Sequence, residues 1–406
     1  MGGPSVGTAT ALWRAALGGP PLVGSEPVPV PDAAGRVTAG PVLARLSAPA
    51  VPCSAMDGIA VTAADTAGGT VAADGFEVVD TGDPIPPGRD AVVMREHLRR
   101  RPDGTVGLPG PVPAGQHVRP VGEAVRAGAE VVPAGRVLRP ADLAAAATGG
   151  LRTVEVRRRP VVTVVPTGDE VRPLGADLGP GELLDTNSIM LAATLRAWGA
   201  DVRVTGIQPD LPERIRDTVR SAARDSDLVL VLAGSSAGRD DHTAGVVRGL
   251  GSVVVHGVAI RPGHPVLLGT LHGAGGRVVV PVVGVPGYPA AAALSVELFA
   301  LPLLADLQGR NPERRPSVPA RLCGAVPSRP GVEEYVLVAL PGDGTAVPLS
   351  RGAGSQSALA RADAVLRIDA GCAGHEAGDA VLVQPVDQPG WAGAGPVAEG
   401  GGRLAV

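Results

Sequence analysis

The chain contains no lysine: all 36 of its basic residues are arginine. That excludes Schiff-base lysines and lysine nucleophiles. It also excludes a P-loop, whose Gly-Lys-Ser/Thr needs the ammonium group. Asparagine is nearly missing too, occurring only at Asn187 and Asn311. The three cysteines, Cys53, Cys323 and Cys372, lie far apart and outside any CxxC pair. Neither a disulfide framework nor a zinc site is indicated, and a reducing, cytoplasmic setting fits. No run of about 18 apolar residues is present, so no transmembrane helix is expected. The N-terminus lacks the basic and apolar regions of a signal peptide. There is no excess of positive charge: the formal net charge is −4. A nucleic-acid binder would need a basic face, so no nucleic-acid partner is expected. The runs Arg99–Arg101 and Arg157–Arg159 are short, and read either as solvated surface or as a local anion site.

What is present is apolar material and punctuation. The 406 residues allow about two to four domains at roughly 100–200 residues each. Apolar residues make up 45% and charged residues 19%, enough for real cores and too little charge for a disordered chain. With 58 glycines and 41 prolines, 99 of 406 residues favour turns, which points to many short strands.

The texture divides the chain. Thr8–Leu17 reads as a short helix. Residues 20–150 carry short Val-rich runs between Gly and Pro: Phe76–Val79, Ala91–Met94, Val118–Val121 and Glu130–Val132. They predict an all-β region with a short helix at Asp142–Ala147. From Val161 strands and helices alternate. Strands are expected at Val161–Val165, Val202–Ile207, Leu228–Leu232 and Val278–Gly284. Helices are expected at Thr186–Trp198 behind an Asp185 cap with Leu191, Leu195 and Trp198 on one face, at a segment opened by Asp210-Leu-Pro-Glu213 with Glu213 in the capping-box position, and at Ala290–Leu304. This predicts a Rossmann-like α/β domain with a parallel sheet covered on both faces. After Asn311 short strands return at Tyr335–Leu340, Ala364–Ile368 and Ala380–Gln384, which predicts a small C-terminal β-barrel. The Pro/Gly/Ala-rich end reads as a flexible tail.

Open parallel sheets bind ligands beyond the carboxyl ends of their strands. Three loops are expected there: Pro166-Thr-Gly-Asp-Glu170, Gly234-Ser-Ser-Ala-Gly238 and Pro286-Gly-Tyr-Pro289. The middle loop reads either as a tight turn or as an anion cradle of backbone N–H groups. Carboxylates gather in the same region by this reading: Asp169, Glu170, Asp227 and Asp241. They are either turn and cap residues or ligands of a Mg²⁺ that bridges phosphates. In the β half, Pro49-Ala-Val-Pro-Cys-Ser-Ala-Met-Asp-Gly58 stands out, and by itself Met-Asp-Gly reads as a turn.

These residues resemble the molybdopterin molybdenumtransferases, the MoeA and gephyrin E-domain family. Pro49–Gly58 is similar to its Pro-x-x-x-x-Ser-x-Met-Asp-Gly signature. Thr81-Gly-Asp-Pro-Ile-Pro-Pro-Gly88, Ala91-Val-Val-Met-Arg-Glu96, Val118-Arg-Pro-Val-Gly-Glu123, Thr167-Gly-Asp-Glu170 and Asp185-Thr-Asn187 resemble further elements in the family's order. The resemblance runs from about residue 8 to 386. It implies Mg²⁺-assisted insertion of molybdate into adenylylated molybdopterin with release of AMP, in molybdenum cofactor biosynthesis by a cytoplasmic homodimer. It implies a MogA-type α/β domain at 159–310 and a β-rich domain at 49–137 carrying the Met-Asp-Gly motif. It also implies an elongated N-terminal domain of 1–48 with 138–158, a barrel at 311–387 and a tail at 388–406. By the same resemblance Asp57, Glu170, Asp227 and Asp241 are catalytic and metal-binding. Thr81, Arg119, Gly234, Ser235, Ser236, Arg261, His264, Gly287 and Ser357 bind substrate. The site of such proteins is shared between two subunits, and the partners are a small pterin and an oxyanion.

Several positions depart from the family pattern. Ala124 replaces an Asp, Cys53 an Asn, and Val332 and Leu337 replace arginines. Lys-Pro-Gly-Lys-Pro reads Arg261-Pro-Gly-His-Pro265, and Leu-Pro-Gly-Asn-Pro reads Val285-Pro-Gly-Tyr-Pro289. The departures keep a second expectation open: a catalytically degenerate paralogue that acts as a pterin-binding or scaffold protein.

Overall fold

The structure, a computed structural model, describes residues 2–19, 21–232, 242–273, 279–310, 316–351 and 356–386. The predicted tail at 388–406 lies outside these residues. The chain forms two compact units, residues 25–157 and residues 1–24 with 158–406.

The unit of residues 25–157 is a mosaic of short strands. Ser25–Pro29 pairs antiparallel with Thr153–Arg157, in register from Ser25↔Arg157 to Pro29↔Thr153. Val30, Val42, Val132, Leu138 and Val156 close one small core. A second core lies on a three-stranded sheet in the order Phe76–Val79, Gly58–Val61, Ala91–Met94. The central strand tolerates only glycine at its start. A Cβ on Gly58 would lie 1.9 Å from the Val93 carbonyl oxygen. The helix Pro140–Thr148 begins with proline, whose missing N–H costs nothing there. Asp142 accepts from the Arg139 N–H at 2.9 Å and pairs with Arg136 and Arg139 at 3.2 and 3.1 Å.

The other unit contains the α/β body. Its first element, α1 (Val6–Ala16), buries Trp13 against the sheet, with the indole N–H donated to the Gly269 carbonyl at 2.7 Å. The resemblance implies an N-terminal domain of 1–48 with 138–158; the helix Val6–Ala16 packs with the α/β body. Then follow β1 (Val161–Pro166), α2 (Asn187–Ala197), β2 (Asp201–Val204), α3 (Pro212–Asp225), β3 (Leu228–Leu232) and α4 (His242–Leu250). They are succeeded by β4 (Gly251–His256), β5 (Ile260–Arg261), β6 (Leu267–His272) and β7 (Val279–Val285). The helices α5 (Pro289–Ser295) and α6 (Leu301–Gln308) end the body, joined by a π-turn over Val296–Ala300.

The sheet order is β2-β1-β3-β7-β6-β4. The first four strands are parallel, as expected, and β6 and β4 add an antiparallel hairpin at one edge. Every residue of β3 is buried because helices cover both faces. Leu228, Leu230 and Leu232 face the core shared with α1, α2, α5 and α6. Val229 and Val231 face the core shared with α3 and α4. Ile215, Val219 and Ala223 form the buried stripe of α3 at four-residue spacing. The stretch Pro289–Gln308 is 20 residues long and apolar enough to span a membrane, but 78% of its apolar window is buried inside the protein, as befits a core helix.

The C-terminal part is a closed barrel. It is built from β8 (Val318–Leu322), β9 (Glu333–Ala339), β10 (Thr345–Pro348), β11 (Ala364–Ile368) and β12 (Ala380–Pro385) in the cyclic order β9-β10-β8-β12-β11. The strand β5 leaves the α/β body and pairs in parallel with the start of β9, setting Ile260 against Glu333 and Arg261 against Glu334.

The Asp142 cap generates a stability prediction. Above all the Arg139 guanidinium, and also the Arg139 N–H and Arg136, hold the Asp142 carboxyl down at about 2 against 3.8. A depressed carboxyl stabilises the fold above its unfolded value and loses that contribution as pH falls through its folded value. Asp142→Asn is expected to lower stability by about 1–2 kcal/mol at pH 7. Urea melts should show the gap to wild type narrowing as pH falls from about 4 to about 2. A gap constant with pH would remove the ion pair as its cause.

Candidate functional site

Two of the three expected loops lie at the carboxyl ends of the parallel strands. Beyond β1, the Thr167 hydroxyl donates to the Leu232 carbonyl at 2.9 Å and ties the loop to β3. Gly168 takes φ +138°, where an added Cβ would press to 2.6 Å on the Val171 side chain. Beyond β7, the Asn187 side-chain N–H donates to the Gly287 carbonyl at 2.7 Å. The start of α2 is thereby joined to the Pro286–Pro289 loop. Asp185 accepts from the Ser188 N–H at 3.0 Å, as its capping role predicts. The Asn187 Oδ1 is buried without a hydrogen-bond partner among the described residues. Gly234, Ser235, Ser236 and Asp241 lie outside the described residues.

The carboxylates at this edge are partly cross-tied. The Asp169 N–H donates to Asp210 at 3.2 Å, and the Asp210 N–H donates to Asp169 at 3.1 Å. Asp210 was expected to open a capping box with Glu213, but its carboxylate instead caps a backbone N–H 41 residues away in sequence. Burial raises the Asp210 carboxyl above its ordinary range, and the charges of Asp169 and Glu170 add to that shift. Glu170 itself is exposed.

The larger feature is a cleft where the α/β body meets the barrel. A cavity of about 560 Å³ is lined by the Arg261–Pro265 loop, Pro286 and Tyr288 on one side, and by β9 with Arg329 and Arg351 on the other. Gly263, at φ +101°, gives this loop its left-handed turn. The His264 Nδ1 lies 2.6 Å from the Val258 carbonyl oxygen, which can only accept, so Nδ1 carries the proton. The Val258 N–H returns a bond to the His264 carbonyl at 2.9 Å. Glu334, 4% exposed, reaches Arg351 at 2.6 Å and Arg261 at 3.8 Å. Ser357 is exposed on the short helix Gln356–Arg361.

In the unit of residues 25–157 the Met-Asp-Gly turn is a built structure. Ser54 is fully buried and its hydroxyl donates to the Met56 carbonyl at 2.5 Å. Asp57 is exposed and accepts from the Thr81 N–H and hydroxyl at 2.7 and 2.9 Å. First the Thr81 N–H, then its hydroxyl, with Arg95 nearby, lower the Asp57 carboxyl below the usual range. Arg119 pairs with Glu123 at 2.5 Å.

Asp227 requires a correction. It precedes β3 and therefore sits at the amino end of the parallel strands, opposite the ligand edge. Arg158 binds it through both nitrogens at 2.7 and 2.8 Å, and the Val161 N–H adds a third bond at 2.7 Å. Its carboxylate holds the start of the sheet. Among the described residues no three His, Cys, Asp or Glu side chains gather closely enough to hold a metal ion. Of the expected Mg²⁺ set, Asp241 lies outside the described residues, and Asp227 is committed to Arg158 and the Val161 N–H.

Comparison with known proteins decides the family. Residues 5–150 match the MoeA N-terminal region (domain I and II), 163–306 the probable molybdopterin binding domain, and 319–386 the MoeA C-terminal region (domain IV). The chain is 31% identical over 302 residues to the molybdopterin molybdenumtransferase of Haemophilus influenzae, covering 70% of this chain and 73% of that one. It is 34% identical over 340 residues to molybdopterin molybdenumtransferase 2 of Mycobacterium tuberculosis, covering 76% and 81%. The chain belongs to the MoeA family. A crystal structure of the molybdopterin biosynthesis MoeA protein from Pyrococcus horikosii superposes with TM-score 0.81 at 27% identity, covering 95% of this chain and 99% of that chain.

Within the MoeA fold the cleft joins the probable molybdopterin binding domain to the C-terminal region. Sequence reasoning gave Asp210 and Asn187 no site role of their own and missed Glu334, Arg329 and Arg351. A signal existed for one of them, because Glu333-Glu334 opens an otherwise apolar strand. The carboxylate tie yields a prediction. A carboxyl raised by burial stabilises the fold when protonated, and that contribution is lost as pH rises through its folded value. Asp210→Asn keeps an acceptor for the Asp169 N–H and removes the charge. It should raise Tm by a degree or two at pH 7 and leave it unchanged near pH 3.5. Differential scanning calorimetry across that range checks it, and a lower Tm at pH 7 would show that the charge is needed.

Proposed function

We propose that this MoeA-family chain is a molybdopterin molybdenumtransferase, inserting molybdate into adenylylated molybdopterin with release of AMP. The observation that carries the reading is the cleft of the α/β body and barrel. It gathers arginines and fixed loop backbone around a cavity large enough for a small anionic ligand. Curated relatives of that name support it, at 31% and 34% identity. Both substrates are anions. The protein's task on this reading is to bring them together and to offset their charge, which fixed guanidinium and N–H donors do without reorganisation. Arg261 offers oxyanion contacts in this reading, and the Gly287 loop shapes the pterin end. Mg²⁺ enters through the resemblance alone, and no step is assigned to it. The reading includes a cytoplasmic homodimer.

The test is insertion by purified protein from adenylylated molybdopterin and molybdate, with AMP release and pterin-bound molybdenum both measured. Asp57→Ala is expected to lower the insertion rate at least about 100-fold, the scale on which lost electrostatic groups act. Its Tm should stay within a few degrees of wild type because Asp57 is exposed. Full activity in the variant would remove Asp57 from the site. Wild-type protein that binds the pterin and never releases AMP would establish the scaffold reading instead. Light scattering at micromolar concentration should give twice the chain mass of 40.4 kDa. A mass of one chain would exclude the homodimer.

A further inference from the structure

We propose that Arg351 is an anion-binding residue of the cleft, held by the buried carboxylate of Glu334. With Arg261 and Arg329 it receives phosphate-type oxygens. The inference deepens the proposed function by naming the groups that meet the phosphate end of the substrate.

Glu334 stands in a barrel strand, is 4% exposed, and needs cationic partners because an unpaired buried carboxylate is strongly unfavourable. Arg351 supplies the close contact, Nη2 to Oε1 at 2.6 Å. A second bond runs from Arg351 Nη1 to the Pro327 carbonyl at 2.8 Å. The two bonds fix both ends of the guanidinium fork. A guanidinium carries five N–H groups, so others remain for a ligand. The side chain keeps 31% of its surface exposed where it lines the cavity.

Charge points the same way. Arg261, Arg329 and Arg351 line this cavity, and Glu334 is the one acidic side chain among its described lining residues. Three positive charges against one negative leave a surplus of two, which suits a phosphate or pyrophosphate group. A planar fork already held in place meets such oxygens with two parallel bonds and loses little side-chain freedom.

The position of Arg351 also accounts for a departure in the sequence. Val332 and Leu337, where arginines are expected from the family pattern, line this same cavity. The Leu349 N–H bonds the Leu337 carbonyl at 2.9 Å, so residue 351 follows two places after the cross-strand neighbour of residue 337. Arg329 stands three residues before Val332. The cavity wall has kept its guanidinium groups, supplied from adjacent backbone.

Isothermal titration of the full chain with inorganic pyrophosphate at low ionic strength tests this. Arg351→Leu should weaken binding about tenfold or more, the scale of a lost charge-assisted pair. Arg329→Leu, which leaves Glu334 paired, should weaken it several-fold. Adding Leu337→Arg to Arg351→Leu should recover most of the loss, which a merely structural role for Arg351 would not allow. Arg220→Met, on α3 and outside the cleft, should bind as wild type does. Wild-type protein that does not bind pyrophosphate, or Arg351→Leu and Arg329→Leu both within twofold of wild type, would overturn the inference. So would a double variant that folds and recovers nothing. Insertion is assayed separately. Insertion with pyrophosphate binding indifferent to Arg351 and Arg329 sinks this inference alone. Arg351-dependent binding without insertion sinks the enzymatic reading alone.

Discussion

The strand Leu228–Leu232 has to be dry on both faces, and the arrangement of the α/β body follows from that requirement. Leucines at alternate positions face one helical layer and valines the other, so helices must pack above and below. Once both faces are covered, the sheet can meet a ligand only at its ends. The amino end is tied by the Arg158–Asp227 pair and the bond from the Val161 N–H. The carboxyl end carries loops whose glycines let the backbone turn sharply. The candidate site thus lies where burial leaves room for it.

The barrel enters through one short pairing. Ile260 and Arg261 leave the sheet and run beside Glu333 and Glu334. Placing carboxylates in a buried strand is costly unless each meets a cation. Glu333 meets Arg367 at 3.2 Å and the Tyr335 hydroxyl at 3.1 Å, and Glu334 meets Arg351 and Arg261. The same contacts that make Glu334 tolerable bring guanidinium groups to the cleft. Here packing and site chemistry are one constraint, so a change made to improve either one alters the other.

Much of this was legible beforehand, for identifiable reasons. Continuous apolar runs from 161, 228 and 278, of strand length and bounded by turn residues, read as buried strands, the Leu191, Leu195 and Trp198 spacing marks α2, and Asp210-Leu-Pro-Glu213 marks the start of α3. The Met-Asp-Gly segment and the Thr-Gly-Asp-Glu loop were visible because their order resembles a family. The edge hairpin β4–β6 escaped notice because His256, Gly269 and His272 break its apolar pattern. Asp227 was misplaced because a carboxylate beside a strand looks the same at either end until strand direction is considered. Asp210 was read as a helix cap, which is a local role, while its actual bond spans 41 residues. Arg351 lay hidden in a Gly/Ser-rich stretch. Nothing local says that its neighbours are Glu334 and Pro327, since those contacts exist only after the barrel closes.

The lack of lysine sharpens the last point. An ammonium is a compact point charge that works from a flexible stem, whereas a guanidinium is a broad plane that profits from being held. A chain restricted to arginine therefore needs acceptors beside its cationic sites, and the cleft shows them: Glu334 and the Pro327 carbonyl for Arg351. His264 illustrates the other side of the constraint. The family pattern has a lysine there, and here an imidazole donates its Nδ1 proton to Val258 while the Val258 N–H bonds back to the His264 carbonyl. The pair of bonds closes the Arg261–Pro265 turn on itself. A residue committed to bracing its own loop has less to give a ligand, and on the opposite wall the anchored Arg351 holds a charge against the cavity.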